Sequence, residues 1–302
     1  MSILVVGSIA LDTVETPFGV AESVLGGSAV YFSLAASHFA PVSLVSVVGE
    51  DFPPEHRELL SRREVGLEGL AVAPGKTFRW SGCYRERMNE AETRQTQLNV
   101  FGDFNPVVPD SCRQSPFVFL ANCSPRIQLK VRKQVAPTSF VLADTMNFWI
   151  ENERRALMDL MQHVHGLILN DSEARQLSGE NNLLRAGRWV CERGPAYCII
   201  KKAEHGVVLI GRKERFVLPA YPTEDVKDPT GAGDSFAGGL VGYAATCKNL
   251  DEQALRMALA YGAVVASFAI EDFGPARLCE IARKDIESRL QEFISITQLM
   301  RR

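Results

Sequence analysis

The chain reads as an α/β protein: a mostly parallel sheet covered by helices on both faces. Short β-branched runs bounded by turn residues alternate with longer segments of helical period, and that order joins parallel strands through helical crossovers. The 302 residues, 46% hydrophobic and 23% charged, suffice for the core of one large domain without disulfide or metal staples. One stretch, about 72–105, departs from the alternation and predicts a small appendage.

Taken in order, Ile3 to Val6 predicts a strand, Ser28 to His38 a helix and Val42 to Val48 a strand. Phe117 to Leu120, Phe140 to Ala143, Leu167 to Leu169 and Tyr197 to Lys201 supply further strands, separated by helical stretches around 126–135, 151–163 and 182–192. A hairpin follows, Val207 to Ile210 and Arg215 to Leu218, and helices over about 233–246 and 251–268 precede a polar C-terminal helix. Within 72–105, Thr77 to Arg85 and Thr96 to Phe101 read as strands with no helix between them. A long excursion in a compact fold tends to serve function, so this segment is expected to form a β-lid, with a contribution from 12–20.

The formal net charge of −3 lacks the basic excess of a nucleic-acid protein. Seven scattered cysteines, with no C-x-x-C pair, indicate free thiols of a reducing compartment rather than a zinc site or disulfide framework. The N-terminus meets Gly7 and Asp12 too early for a secretory leader, and no apolar run approaches the roughly 20 residues that span a bilayer. A soluble cytoplasmic protein with no nucleic-acid or membrane partner is expected.

The segment that carries chemistry is Asp228-Pro-Thr-Gly-Ala-Gly-Asp-Ser-Phe-Ala-Gly-Gly239. Its glycines stand in front of a helical pattern that includes Phe236, Leu240 and Tyr243. Gly231 and Gly233 let backbone approach a ligand closely, and the unpaired amides of the first helical turn attract negative charge. Asp234, in that first turn, is placed to accept the proton of an attacking hydroxyl while the amides from Gly231 through Ala232 and Gly233 to Asp234 stabilise a transferred phosphoryl group. Asp12 follows the first buried strand, at the edge where open α/β sheets place their ligands, and can accept bonds from neighbouring sugar hydroxyls. Gly26 and Gly27 would let the chain pass close to that substrate. Asn170 and Glu173 follow another buried strand; a carboxylate there suits Mg2+, and the pair also has the spacing of a helix capping box.

On these motifs the chain resembles the ribokinase family, the PfkB-type carbohydrate kinases. Asp-Pro-Thr-Gly-Ala-Gly-Asp-Ser-Phe at 228–236 is similar to that family's C-terminal signature. Gly7-Ser-Ile-Ala-Leu-Asp12 is similar to its first strand and substrate aspartate, and Gly26-Gly27 to its paired glycines. Asn170-Asp-Ser-Glu173 is similar to its Asn-x-x-Glu motif, and Lys201-Lys-Ala-Glu-His-Gly206 to its segment entering the nucleotide site. The resemblance implies a three-layer α/β/α ribokinase-like fold with a β-lid, spanning 1–302. It also implies ATP as co-substrate, Mg2+ at Glu173 and Asn170, and Asp234 as base. Nucleotide contacts are implied at Asn170, Lys201, Gly206, Thr230, Gly231, Gly233, Ala263 and Ser267. A monovalent cation such as K+ is implied at Asp228 and Thr230.

Two positions depart from the family pattern. Tyr31 stands where many members carry a substrate-contacting asparagine, and a phenol lacks an amide's paired donor and acceptor. Ala203 stands where the nucleotide segment often has glycine. The expected acceptor is the hydroxymethyl group of a small sugar. A nucleoside is the alternative, favoured by Tyr31 and by Phe78, Trp80, Tyr84 and Phe101 of the lid. A sugar phosphate ranks third, with Arg85, Arg87 and Arg94 as its candidate cations. A non-catalytic sugar-sensing protein is the reading from another class; a sensor has no need of a base. A dinucleotide oxidoreductase is excluded because no G-x-G-x-x-G follows the first strand. His163 and His165 read as structural, and Lys202, Arg212 and Lys213 as solvated charge. The lid is expected to close on substrate, excluding water as a competing acceptor, and to offer edges for a homodimer.

Overall fold

Residues 1–86 and 88–298 are described by a computed structural model. The elements, in chain order, begin with β1 (Ile3–Val6), β2 (Ala10–Thr16), β3 (Gly19–Gly26), α1 (Ser28–Ser37), β4 (Val42–Gly49), α2 (Pro54–Arg62) and β5 (Val65–Ala73). β6 (Phe78–Cys83), β7 (Glu92–Gln97), β8 (Phe117–Leu120), α3 (Pro125–Arg132), β9 (Phe140–Asp144), α4 (Asn147–Asn152), α5 (Arg154–Met161) and β10 (Gly166–Asn170) follow. The chain continues through α6 (Asp171–Ser178), α7 (Leu183–Cys191), β11 (Tyr197–Lys201), β12 (Val207–Gly211) and β13 (Arg215–Leu218). It finishes with α8 (Ala232–Ala244), α9 (Glu252–Ala269), α10 (Ala276–Glu280) and α11 (Arg283–Thr297).

Among these residues one sheet of nine strands runs in the order β13-β12-β11-β10-β9-β8-β1-β4-β5. From β11 through β5 all neighbours are parallel, and β12 and β13 close the other edge as an antiparallel hairpin. Parallel strands buried on both faces read as unbroken apolar runs, which is why these strands were legible. Alternate side chains feed two cores: Ile3 and Val5 of β1 enter one, Leu4 and Val6 the other. The first core lies under α1, α8 and α9, the second under α3, α5, α6 and α7.

α8 carries the candidate base, and its placement follows from its glycines. A β-carbon on Gly238 would stand 2.5 Å from the Phe32 carbonyl oxygen of α1, and one on Gly239 would stand 2.9 Å from the Tyr261 carbonyl oxygen of α9. α8 is thus clamped backbone-close between two helices, so its first turn is held rigidly at the rim of the sheet. No described helix is long and apolar enough to cross a membrane. The described cysteines are free, and five of the seven are buried.

The second sheet, β3-β2-β6-β7, corrects the expected boundaries of the appendage. Residues 72 and 73 belong to β5 of the main sheet, whereas 10–26 supply two of the four strands rather than a minor contribution. The outer strand runs Glu92–Gln97, not Thr96 to Phe101. Asn99 adopts a left-handed φ of 49°, its side chain donates to the Thr77 carbonyl at 2.8 Å, and 99–103 turns as a 3-10 helix. Phe101 thereby stacks between Phe78 and Phe104 at 5.8 and 5.4 Å, in the second core. Those two lid aromatics are therefore packing residues. The single helix expected over 151–163 is two, broken at Glu153, whose carboxylate accepts a hydrogen bond from the Ser124 hydroxyl at 2.7 Å.

Candidate active site

The turn before α8 is pinned from below. Asp228, 1% exposed, accepts the Thr230 N–H at 2.9 Å and the Gly274 N–H at 3.0 Å, one on each carboxylate oxygen. Its own N–H and that of Lys227 donate to the Ile270 carbonyl. Gly231 then takes φ 74°, a conformation open to glycine at little cost. The Ala232 N–H turns back to the Pro229 carbonyl at 3.2 Å, and the first i→i−4 bond of α8 runs from Ser235 to Gly231 at 2.8 Å. Gly233 and Asp234 precede that bond, so their N–H groups face the rim as anion donors.

Asp234 is half-buried in this first turn. Burial pushes its carboxyl up to about 8, with the Asp144 and Asp12 carboxylates adding to the rise and the Lys201 ammonium opposing it. Lys201, at the end of β11, reaches the same turn: a β-carbon on Gly233 would stand 2.9 Å from its Nζ. Its ammonium also lies 3.4 Å from Asp144, at the end of β9. Burial works against that charge, but the carboxylates of Asp144, Glu173 and Asp234 outweigh it and hold the lysine above its ordinary pKa. Burial likewise raises Asp144, with Lys201 as the main opposing charge.

Asn170 caps α6 between these two strand ends. It accepts the Glu173 N–H at 2.8 Å, and Glu173 accepts the Asn170 N–H at 2.7 Å, which completes a capping box. Burial raises Glu173 to about 7, opposed by Lys201. Its second carboxylate oxygen is left by the cap, and with Asp144 it forms a buried, net-negative pair against one lysine. No group of three or more His, Cys, Asp or Glu side chains that could hold a metal by itself occurs among the described residues. This donor set fits Mg2+, which takes one or two carboxylates and completes its shell with water and nucleotide phosphates. Asp144 was missed in the sequence; a carboxylate closing a buried strand, the signal that singled out Asp12, was present there too.

On the substrate side, Asp12 is 4% exposed and lies over Gly26, where a β-carbon would stand 1.9 Å from its Oδ2. Burial raises Asp12 to about 7, against the pull of the Gly27 N–H. Tyr31 is buried with its ring on Gly231, where a β-carbon would stand 2.3 Å from the ring. Its hydroxyl has no hydrogen-bond partner among the described residues, and it is surrounded by Asp12, Asp228, Tyr84 and Asp234. Tyr84, at the end of β6, accepts the Thr230 hydroxyl at 3.3 Å and so ties the second sheet to the turn before α8.

Asp12, Gly26, Gly27, Tyr31, Thr230 to Asp234, Lys201, Asn170 and Glu173 are therefore brought to one rim, at the C-terminal ends of the parallel strands. Gly206 also lies at this rim, since Val207 pairs with Lys201, and several other expected residues have packing or turn contacts. The Ser267 hydroxyl donates to the Val264 carbonyl at 2.7 Å and accepts from Arg289 of α11 at 3.0 Å, so it serves the helix interface. Ala263, half-buried on α9, packs against the first core. Gly206 shapes the turn into β12 with φ 84°, its N–H on the Ala203 carbonyl. Arg212 and Lys213 are exposed in the β12–β13 turn, and His165 accepts the Val141 N–H at 3.1 Å. Arg85 pairs with Glu92 and Arg94 with Glu15 on the second sheet, which leaves neither uncommitted for a substrate phosphate. Arg87 lies outside the described residues.

Ala203 holds φ 48°, a left-handed conformation that costs an L-residue about 1 kcal/mol and glycine little. Ala203→Gly is expected to raise unfolding stability by about 0.5–1 kcal/mol in denaturant titration, the gain trimmed by the added freedom of the unfolded chain. A loss of stability would show that this strain is absent.

The profile of the pfkB family carbohydrate kinases matches residues 5–281. The chain belongs to that family. Like the family it is a kinase, a phosphotransferase acting on an alcohol group. It is 27% identical over 250 residues to the cytidine kinase of Thermococcus kodakarensis, covering 80% of this chain and 88% of that one. The crystal structure of the Methanocaldococcus jannaschii nucleoside kinase, an archaeal member of the ribokinase family, superposes with a TM-score of 0.77 at 20% identity, covering 96% and 98% of the two chains. A putative ribokinase II from E. coli in complex with ATP and Mg2+ gives 0.81 at 19%, covering 96% and 99%. At these identities the superpositions show the shared ribokinase fold.

Proposed function

We propose that this pfkB-family kinase transfers the γ-phosphoryl group of ATP to the hydroxymethyl group of a nucleoside, with Asp234 as base. The observation that carries the chemistry is the meeting of Asp234, the Gly233 and Asp234 N–H groups and Lys201 at the first turn of α8. In this reading Asp12 accepts the hydroxyls of the ribose, and the paired glycines let the ring approach. Asp234 takes the proton of the attacking hydroxyl. The amides and the Lys201 ammonium neutralise charge on the group in flight, which is where electrostatic preorganisation contributes most. Glu173 and Asp144 would hold Mg2+, which when bound would neutralise charge on the nucleotide phosphates. Each oxygen of Asp228 accepts one amide and Thr230 donates to Tyr84, so these residues hold the turn before α8 in place. With Tyr84 seated on Thr230, the second sheet keeps water from competing as acceptor.

A nucleoside moves ahead of a free sugar for two reasons. The phenol of Tyr31 replaces the sugar-reading amide, and the relative matched over most of this chain is named a cytidine kinase. A sugar phosphate falls back because Arg85 and Arg94 are paired. The test is ADP release with magnesium-ATP across pentoses, hexoses, their phosphates and nucleosides. The highest kcat/KM is expected for a nucleoside; a highest value for a hexose or a sugar phosphate would overturn the acceptor assignment.

A further inference from the structure

Beside the proposed ribose site, the ends of β8 and β9 form a rigid wall, and the mechanism leaves unused the residues just beyond it, Asn122, Met146 and Trp149. The Gln128 side-chain NH2 donates to the carbonyls of Leu120, Ala121 and Asp144 at 3.0, 3.0 and 2.9 Å, welding the two strand ends together. Just beyond, the Trp149 indole N–H donates to Asn122 Oδ1 at 2.9 Å. An indole nitrogen is a donor only, so this bond fixes which way the Asn122 amide points. The Asn122 NH2 then faces Met146 Sδ at 3.2 Å, a weak acceptor that engages one of its two hydrogens. Asn122 and Trp149 are half-buried, and Phe148, 51% exposed, stands edge-on to the Trp149 ring at 4.8 Å.

The wall adjoins the ribose site directly. The Asn122 carbonyl accepts the Ser28 hydroxyl at 3.3 Å, and Ser28 follows Gly27, whose N–H serves Asp12. On the other side Met146 lies two residues beyond Asp144, the partner of Lys201. β8 pairs with β1, whose chain leads on to Asp12, and the Ser28 bond ties the Asn122 backbone to the turn beside Asp12, so a ring attached to a ribose at Asp12 extends towards Asn122.

We infer that Asn122, oriented by Trp149, is a specificity-determining donor that reads a carbonyl or ring-nitrogen acceptor on the nucleobase of the substrate. Met146 and Phe148 supply the apolar edge against which the base lies. This rests on the nucleoside reading above. A strong acceptor on the base replaces the thioether as partner of the amide, and free ribose offers no such group.

The experiment compares kcat/KM for the preferred nucleoside and for ribose in the wild type, Asn122→Ala, Asn122→Asp and Trp149→Phe. Asn122→Asp keeps an acceptor for the indole while losing the donor, which separates recognition from folding. The nucleoside-to-ribose ratio is expected to fall about tenfold in both Asn122 variants, mainly through the nucleoside KM, and about threefold in Trp149→Phe, in which the amide is released. Nucleoside binding should also quench tryptophan fluorescence in the wild type and much less in Trp149→Phe. An unchanged ratio in folded Asn122→Asp overturns the inference and leaves the nucleoside reading standing. No nucleoside turnover by the wild type removes that reading, and the inference with it.

Discussion

Asp234→Asn lowers kcat by about 10³-fold, within the range for removal of a positioned general base, while the amides and Lys201 still bind nucleotide. ADP release with the preferred acceptor, beside nucleotide binding by the same variant, checks both halves; activity within a few-fold of wild type would remove Asp234 from the mechanism. The wild-type pH profile carries the same assignment. Because burial raises Asp234 to about 8, the free enzyme holds its base protonated in mild acid, and kcat/KM rises as pH climbs from 6 towards 8. Asp12 and Glu173, both raised to about 7, steepen that limb.

The same shifts reach stability with the opposite sign. Between the ordinary carboxylate range near 4 and these raised values, the folded state holds protons that the unfolded chain has released. The ligand-free protein is therefore expected to lose stability as pH rises from 5 to 8. Asp234→Asn removes one such group and should make the ligand-free protein more stable at pH 8 by roughly 1–3 kcal/mol, read from denaturant midpoints. A carboxylate buried among other carboxylates costs the fold in this way.

Gly231→Ala is the second large effect. The new β-carbon would sit 2.3 Å from the Tyr31 ring on a backbone at φ 74°, so left-handed strain and overpacking add. A loss of about 2–4 kcal/mol in stability is expected, with kcat/KM down at least about 100-fold as the anion-binding turn shifts from its place. Adding Tyr31→Ala should recover the packing part of the stability loss and leave the backbone part. Full additivity of the two substitutions would refute direct packing of residue 31 on residue 231.

Legibility along the chain followed physical locality. Strands β1, β8 and β11 were delimited from the sequence because a strand buried on both faces is a continuous apolar run with turn residues at its ends. β7, Glu-Thr-Arg-Gln-Thr-Gln, carries no such run; it is a strand because β6 offers it an edge, which no local pattern announces. Phe101 looked like a lid aromatic in a strand, yet the left-handed Asn99 turns the chain and sends the ring into the core. The pattern around Ser267 says nothing of its partner, and only the docking of α11 brings Arg289 to its hydroxyl.

Local pattern was enough for the family signature, for most strands of the main sheet and for the glycine-rich turn before α8, since Gly231, Gly233 and Asp234 fall within one helical turn. Tertiary structure alone decided what faces that turn. Tyr31 against Gly231, Lys201 against Asp144 and Asn122 against Trp149 are contacts between segments brought together by sheet order and helix packing. Their burial sets the charge states of the rim, and burial belongs to the assembled fold rather than to any stretch of chain.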